Sequence, residues 1–274
     1  MKKIFIYLNI IAILAIAFSS CKQKTIRTIE KSLEQSFSLT SDTTKGSFRV
    51  NINVEIPVCY DDHAVLDSIR NSIISNLFGA EYVKFGNDSI VKVFVKDLIT
   101  DYRITNISLL NQMDSSTIYS FDYEHTLEGF SLLSDEVIYS YGINRYVFMG
   151  GAHGLNNVYY FVFNLKNGKK ITENDLYITG YESKLSELIK QRIVEQSKED
   201  TNVAPILNLE DTDYWIDAIK PNGNFYVTDE SINYVFNPYE IAPYYIGQTE
   251  VVIPFNRLKG LLKADNILAY LINK

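Results

Sequence analysis

The chain has 274 residues, with 26 Lys and Arg against 33 Asp and Glu, a net charge of −7 and 46% hydrophobic residues. A chain of this length buries one large core or two modest ones. The acidic balance argues against a nucleic-acid partner and suits a strongly basic protein partner, because opposite net charges speed encounter.

Lys2 and Lys3 open the chain, an apolar run broken only by Asn9 occupies 4–18, and Ser19-Ser20 precede Cys21. This is the layout of a secretory signal peptide over 1–20, with an apolar core too short to span a membrane comfortably. Small residues ahead of a cysteine point to a bacterial lipoprotein signal, in which cleavage leaves Cys21 first and acyl chains on it anchor the protein. Phe18 departs from the leucine usual three residues before that cysteine, and ordinary secretion is the alternative. With Cys21 committed to lipid and 2 cysteines in all, no intramolecular disulfide is expected. Lys22-Gln-Lys24 lacks an acidic run that would mark export to the surface. The expected address is the bacterial cell envelope, lipid-anchored in the outer membrane and facing the periplasm.

Residues 21–46 are rich in Ser, Thr and Lys and read first as a tether, the alternative being that the Ile29, Leu33 and Phe37 series packs part of it as a first strand or helix. Residues 47–58 give the clearest strand. There Phe48, Val50, Ile52, Val54, Ile56 and Val58 alternate with polar positions, and Pro57 on the wet face places the stretch near an edge or its own end. Asp61 and Asp62 are cap candidates for a helix whose Leu66, Ile69, Ile73 and Leu77 form one stripe, stopped by Gly79. A second helix is expected from about 88 to 98 and onward, with Val91, Val95, Leu98 and Tyr102 inward. The period then changes to two, giving strands over 117–130, 137–149 and 157–165, the last two joined by a glycine-rich corner. Short connections make successive strands antiparallel.

Lys166-Asn-Gly-Lys169 is a turn, and Thr172 with Asp175 caps a short helix. A longer helix over 181–197 turns Leu185, Leu188, Ile189 and Ile193 inward. Strands follow at 215–219, 224–228, 231–236 and 249–255, and a short helix over 258–262 closes the chain. The pattern is α+β: antiparallel sheets with helices packed on one side, in two lobes, 47–130 and 131–274.

Two stretches are candidate sites. In the corner Gly150-Gly151-Ala152-His153-Gly154 there is no following helix and no Lys-Ser/Thr pair to cradle phosphate. His63 and His125 share no ligand spacing with His153, so no metal is expected. The corner is either a bulged turn, with glycines at positive φ and His153 bonded to a backbone carbonyl, or a place where His153 meets a partner. The loop 237–244 carries Asn237, Tyr239, Glu240 and Tyr244 together with two prolines. It is either a structural plug or a contact surface held in shape before binding, which lowers the entropy lost on contact. Among 20 tyrosines, some are expected to face outward, where tyrosine favours protein or sugar contacts. No serine sits on a nucleophile-elbow pattern, Cys59 has no local histidine signature, and the paired carboxylates read as a cap and a wet strand face. The chain is expected to be no enzyme and to carry no cofactor.

Met149-Gly-Gly-Ala-His-Gly154, the run 160–177 and the stretches 226–244 and 250–259 together resemble the RsiV-like, PdaC-like extracytoplasmic domain family. The resemblance covers about 130–265; it makes 131–274 the RsiV-like lobe and 47–130 a PdaC-like partner lobe. In that family the domain is a non-catalytic module. It occurs in a lysozyme-sensing anti-sigma factor, where it binds lysozyme, and beside the catalytic domain of a peptidoglycan deacetylase. This chain is expected to lack both a cytoplasmic segment and a deacetylase domain. What the resemblance implies is an envelope lipoprotein that binds an extracytoplasmic protein, a basic lysozyme-like one, through the corner and the loop. A peptidoglycan-binding accessory is the alternative, and a hydrolase comes third.

Overall fold

A computed structural model describes residues 24–113, 121–199 and 204–272. The 1–20 signal and Cys21 lie outside these residues, as does the 117–120 start of an expected strand. A five-stranded sheet is built from β1 (Arg27–Ser38), β2 (Ser47–Cys59), β3 (Tyr123–Ser134), β4 (Ile138–Met149) and β5 (Leu155–Asn164), in that spatial order. Only the β2–β3 pair is parallel. A parallel pair needs a long crossover, and α1 (His63–Leu77) with α2 (Ile90–Leu110) supplies it. A second, antiparallel sheet holds β6 (Phe225–Val227), β7 (Ser231–Phe236) and β8 (Thr249–Pro254). Before it come the one-turn α3 (Glu173–Leu176) and the longer α4 (Glu182–Glu199), which packs on β8; α5 (Ala269–Ile272) ends the order. The class is α+β, with largely antiparallel sheets and helices packed alongside.

Local chemistry explains the main elements. In β2, Phe48, Val50, Ile52, Val54 and Ile56 are all buried, as their alternation requires. Asp62 starts α1 by accepting from the amides of Ala64 and Val65 at 2.9 and 3.1 Å, satisfying donors that the first turn leaves open. Leu66, Ile69, Ile73 and Leu77 then point into the core, and Gly79, at φ 123, lets the chain turn away. Thr172 and Asp175 form the expected capping box of α3. Each buried aliphatic side chain contributes about 1.5–3 kcal/mol of transfer free energy.

Two cores result. The first lies between α1, α2 and the large sheet; the second surrounds α4 and the small sheet. The strand β5 feeds both, since Phe161 and Phe163 enter the first and Val162 the second. The lobe boundary drawn at 130/131 falls inside β3.

Several expectations need correction. Residues 27–38, read as tether, are the edge strand β1, paired with β2 along its length. Pro57 is buried rather than wet, because the register slips at Arg27/Thr28 and Val58 becomes the extra residue, reversing the alternation. Among the described residues the third strand starts at Tyr123, so Phe121 and Asp122, expected within it, lie outside it. Instead of a strand, 215–219 holds the 3₁₀ turn Ile216–Ala218. A 3₁₀ turn, Phe255–Leu258, also replaces the closing helix at 258–262. Cys59 is disulfide-bonded, which overturns the expectation of no disulfide.

The candidate interaction site: a histidine and tyrosine cluster

The glycines of the corner do different things. Gly150, at φ 76, takes the left-handed conformation that turns the chain out of β4. Gly151 is exposed, and an added Cβ there would meet nothing within 4 Å. At Gly154 the same Cβ would lie 2.3 Å from the Tyr146 ring, so this position must stay bare for the ring to pass.

The loop after β7 is bolted to the large sheet by asparagine side chains. The Asn237 Oδ1 accepts from the Val158 amide at 2.7 Å and its Nδ2 donates to the Val158 carbonyl at 3.1 Å. Asn224 repeats the device one step along: its Nδ2 donates to the Val158 carbonyl at 2.9 Å and its Oδ1 accepts from the Tyr160 amide at 2.8 Å. These amides stand in for a strand and cover the open edge of β5. Glu240 closes the loop on itself, accepting from Asn237 Nδ2 at 3.2 Å and from Asn222 Nδ2 at 3.0 Å. Asn237 and Glu240 therefore act as supports. Tyr239 sits at φ 70, the one non-glycine residue with positive φ among those described.

Corner and loop meet in space. The His153 ring stacks on Tyr244 with centroids 3.7 Å apart and planes 18° from parallel. The Gly154 carbonyl accepts from the Tyr244 hydroxyl at 2.8 Å and lies 3.0 Å from His153 Nδ1. A carbonyl only accepts, so Nδ1 is the donor in that contact, and Nε2 lies 3.5 Å from the Tyr239 hydroxyl. His153 thus bonds a backbone carbonyl while its ring stays exposed.

Two further aromatics extend this surface, and sequence reasoning did not single out one of them. Trp215, the chain's 1 tryptophan, is 45% exposed and is tied to the loop by its amide, 2.7 Å from the Ile241 carbonyl. Tyr245 is 68% exposed. Its hydroxyl donates to the Asp213 carboxylate, which pushes the phenol pKa up. The only signal for Trp215 was its rarity. The segment 204–248 carries seven carboxylates and a single cation, Lys220. The surface is consequently aromatic and preformed, with the Asp213 and Glu240 carboxylates beside it. Among the described residues no group of three or more His, Cys, Asp or Glu could hold a metal ion.

Fold and site together define an α+β module with a loop-built aromatic face, and no helix among the described residues is long and apolar enough to cross a membrane. Residues 174–256 match the model of the family described as "Protein of unknown function (DUF3298)". The 237–244 loop lies inside that span and the 150–154 corner before it. The chain is 27% identical over 205 residues to the anti-sigma-V factor RsiV of Bacillus subtilis (strain 168), a match spanning 74% of this chain and 65% of that protein. It thus covers just under two thirds of that relative. A crystal structure of a DUF3298 family member from Bacteroides fragilis shares the fold, with a TM-score of 0.81 at 24% identity over 91% of this chain and 98% of that one. A DUF3298 family protein of Pseudomonas aeruginosa superposes more loosely, with a TM-score of 0.55 at 17% identity over 88% and 97% of the two chains.

Proposed function

We propose that this chain is a non-catalytic protein of the bacterial cell envelope, facing the periplasm and held in the outer membrane by lipid on Cys21, an anchor that excludes a bond between Cys21 and the disulfide-bonded Cys59. It binds an extracytoplasmic protein partner, a basic, lysozyme-like one, through His153, Tyr239, Tyr244, Tyr245 and Trp215. The observation that carries this reading is the meeting of two sequence-distant stretches in one aromatic face that is already ordered. Tyrosine and tryptophan bury large area at small entropic cost, and they are enriched at the centres of interfaces. The carboxylate-rich flank complements a cationic partner. The likeness to RsiV supports an extracytoplasmic setting, and the family resemblance of the 149–154 motif supports the class of partner.

A peptidoglycan-binding role is the second reading, favoured by the same exposed rings, since flat aromatic faces also stack on sugars. The two separate in one experiment. The chain from residue 21 onward contains every core residue, from Ile26 to Leu271. It is mixed either with clean peptidoglycan sacculi or with immobilised basic lysozyme. Retention on lysozyme and none on sacculi is expected; sedimentation with sacculi alone replaces the first reading by the second.

A further inference from the structure

A cavity of about 240 Å³ lies between α2 and the ends of β3 and β4, away from the aromatic face. Its walls are largely apolar and aromatic, with Phe48, Leu98, Tyr102, Val147 and Phe148 among them. Two polar side chains are buried in the lining, Asn106 and His125. Asn106 is satisfied: its amide donates to the Tyr102 carbonyl at 2.8 Å and its Oδ1 accepts from the Tyr123 hydroxyl at 3.1 Å. His125 is not. It is only 9% exposed, its ring stands edge-on to Phe94 at 5.9 Å, and its Nε2 has no hydrogen-bond partner.

A buried polar atom left alone costs about 1–3 kcal/mol. Ordered water is a poor remedy here, because a buried water needs two to four polar partners and His125 Nε2 is the one unpaired buried polar side-chain atom among the residues lining the cavity. The mouth carries Asp101, Thr105 and Glu124, and no cation lines the cavity. An anionic ligand is disfavoured by that mouth. Burial and the nearby Arg145 charge also push His125 down to about 4, so the ring is neutral at neutral pH and offers no ion pair.

We infer that this cavity is a binding site for a small neutral molecule with a ring-sized apolar body and one hydroxyl, which pairs with His125 Nε2. A hydroxyl both donates and accepts, so it matches either tautomer of the ring. The apolar body fills the space between Leu98, Tyr102 and Val147. This site is independent of the partner-binding face proposed above.

The test uses p-cresol as probe and the chain from residue 21 onward, with 15N-labelled histidine. The chain has 3 histidines, so each imidazole is followed separately. A saturable shift of His125 Nε2 is expected, with His63 and His153 unmoved by the same titration. Toluene, which lacks the hydroxyl, binds at least tenfold more weakly, because a site that hydrogen-bonds an OH discriminates against its absence. Thr105→Trp, at the exposed rim and outside the core, blocks entry and removes the shift while the circular dichroism spectrum is unchanged. A His125 shift that is absent or non-saturating overturns the inference and leaves water as the occupant. Equal binding of toluene, or a titration undiminished by Thr105→Trp, overturns it as well.

Discussion

His153 is exposed and held only through its ring face on Tyr244 and one bond to Gly154, whereas Asn237 is buried and carries two bonds to Val158. The two residues, equal candidates in the sequence, should respond oppositely to mutation. His153→Ala should change stability by less than about 0.5 kcal/mol, as exposed substitutions do. Asn237→Ala leaves the Val158 amide unpaired, while the Val158 carbonyl keeps its bond from Asn224, and should cost about 1–3 kcal/mol. Urea unfolding of both variants checks this, and equal effects would contradict it. The role of Asn237 was not legible beforehand because Val158 is 79 residues away in sequence and side-chain partners at that distance leave no local pattern.

His125 makes a second residue-scale prediction. Its folded pKa of about 4 lies below the ordinary histidine value of 6.5 that an unfolded chain approximates, so protons bind the unfolded state more tightly. Its neutral form contributes fully above about pH 6.5, and that contribution is lost as pH falls through the folded pKa, by about 3 kcal/mol in total. His125→Phe should flatten the fall in stability between pH 7 and 4.5. Wild type and variant falling equally would remove His125 as the cause.

Among the elements, the corner between β4 and β5 separates the glycines most sharply. Gly154→Ala forces the Tyr146 ring aside and displaces the carbonyl that both His153 and Tyr244 use; a cost of about 1–3 kcal/mol is expected. Gly151→Ala meets open space and should be close to neutral. Thermal unfolding of the pair reads the difference, and matching melting temperatures would show that the close approach at Gly154 does not matter.

The elements most legible in sequence were those with one face fully buried. The apolar positions of β2 and the stripe of α1 repeat at the period of their geometry. β1 escaped because it is an edge strand whose inner face interleaves Ile29, Leu33 and Phe37 with Lys31 and Gln35. Lys31 ends in an ion pair with Asp88 at 2.7 Å, so a strand position looked like tether chemistry. The 215–219 stretch, expected as a strand, docks on the 237–244 loop through the Trp215 amide instead of joining a sheet.

For the whole molecule, the α+β class and the order of most strands could be read from the chain, while the way its two cores share β5 could not. Alternation tells which side chains face apart, and only the three-dimensional arrangement shows that both faces of β5 are covered. The same limit hid the site: corner and loop were visible as separate stretches, and their contact required the fold. The two cysteines pose a further question of chemistry, because a Cys21 thiol bearing lipid cannot form a disulfide. Intact mass of the protein purified from its native envelope decides between them: a diacylglyceryl addition on residue 21 is expected, and an unmodified Cys21 would end the lipid-anchor proposal.

The central claim is that the face built by His153, Tyr239, Tyr244, Tyr245 and Trp215 binds a basic protein. It is tested most directly by calorimetric titration of the chain from residue 21 onward against a basic lysozyme at low and high salt, beside the double variant Tyr239→Ala/Tyr245→Ala. Saturable binding that weakens with salt, because screening removes the attraction of the acidic flank, and that weakens at least tenfold in the variant is the predicted result. No heat at either salt, or binding that the variant leaves unchanged, would contradict it.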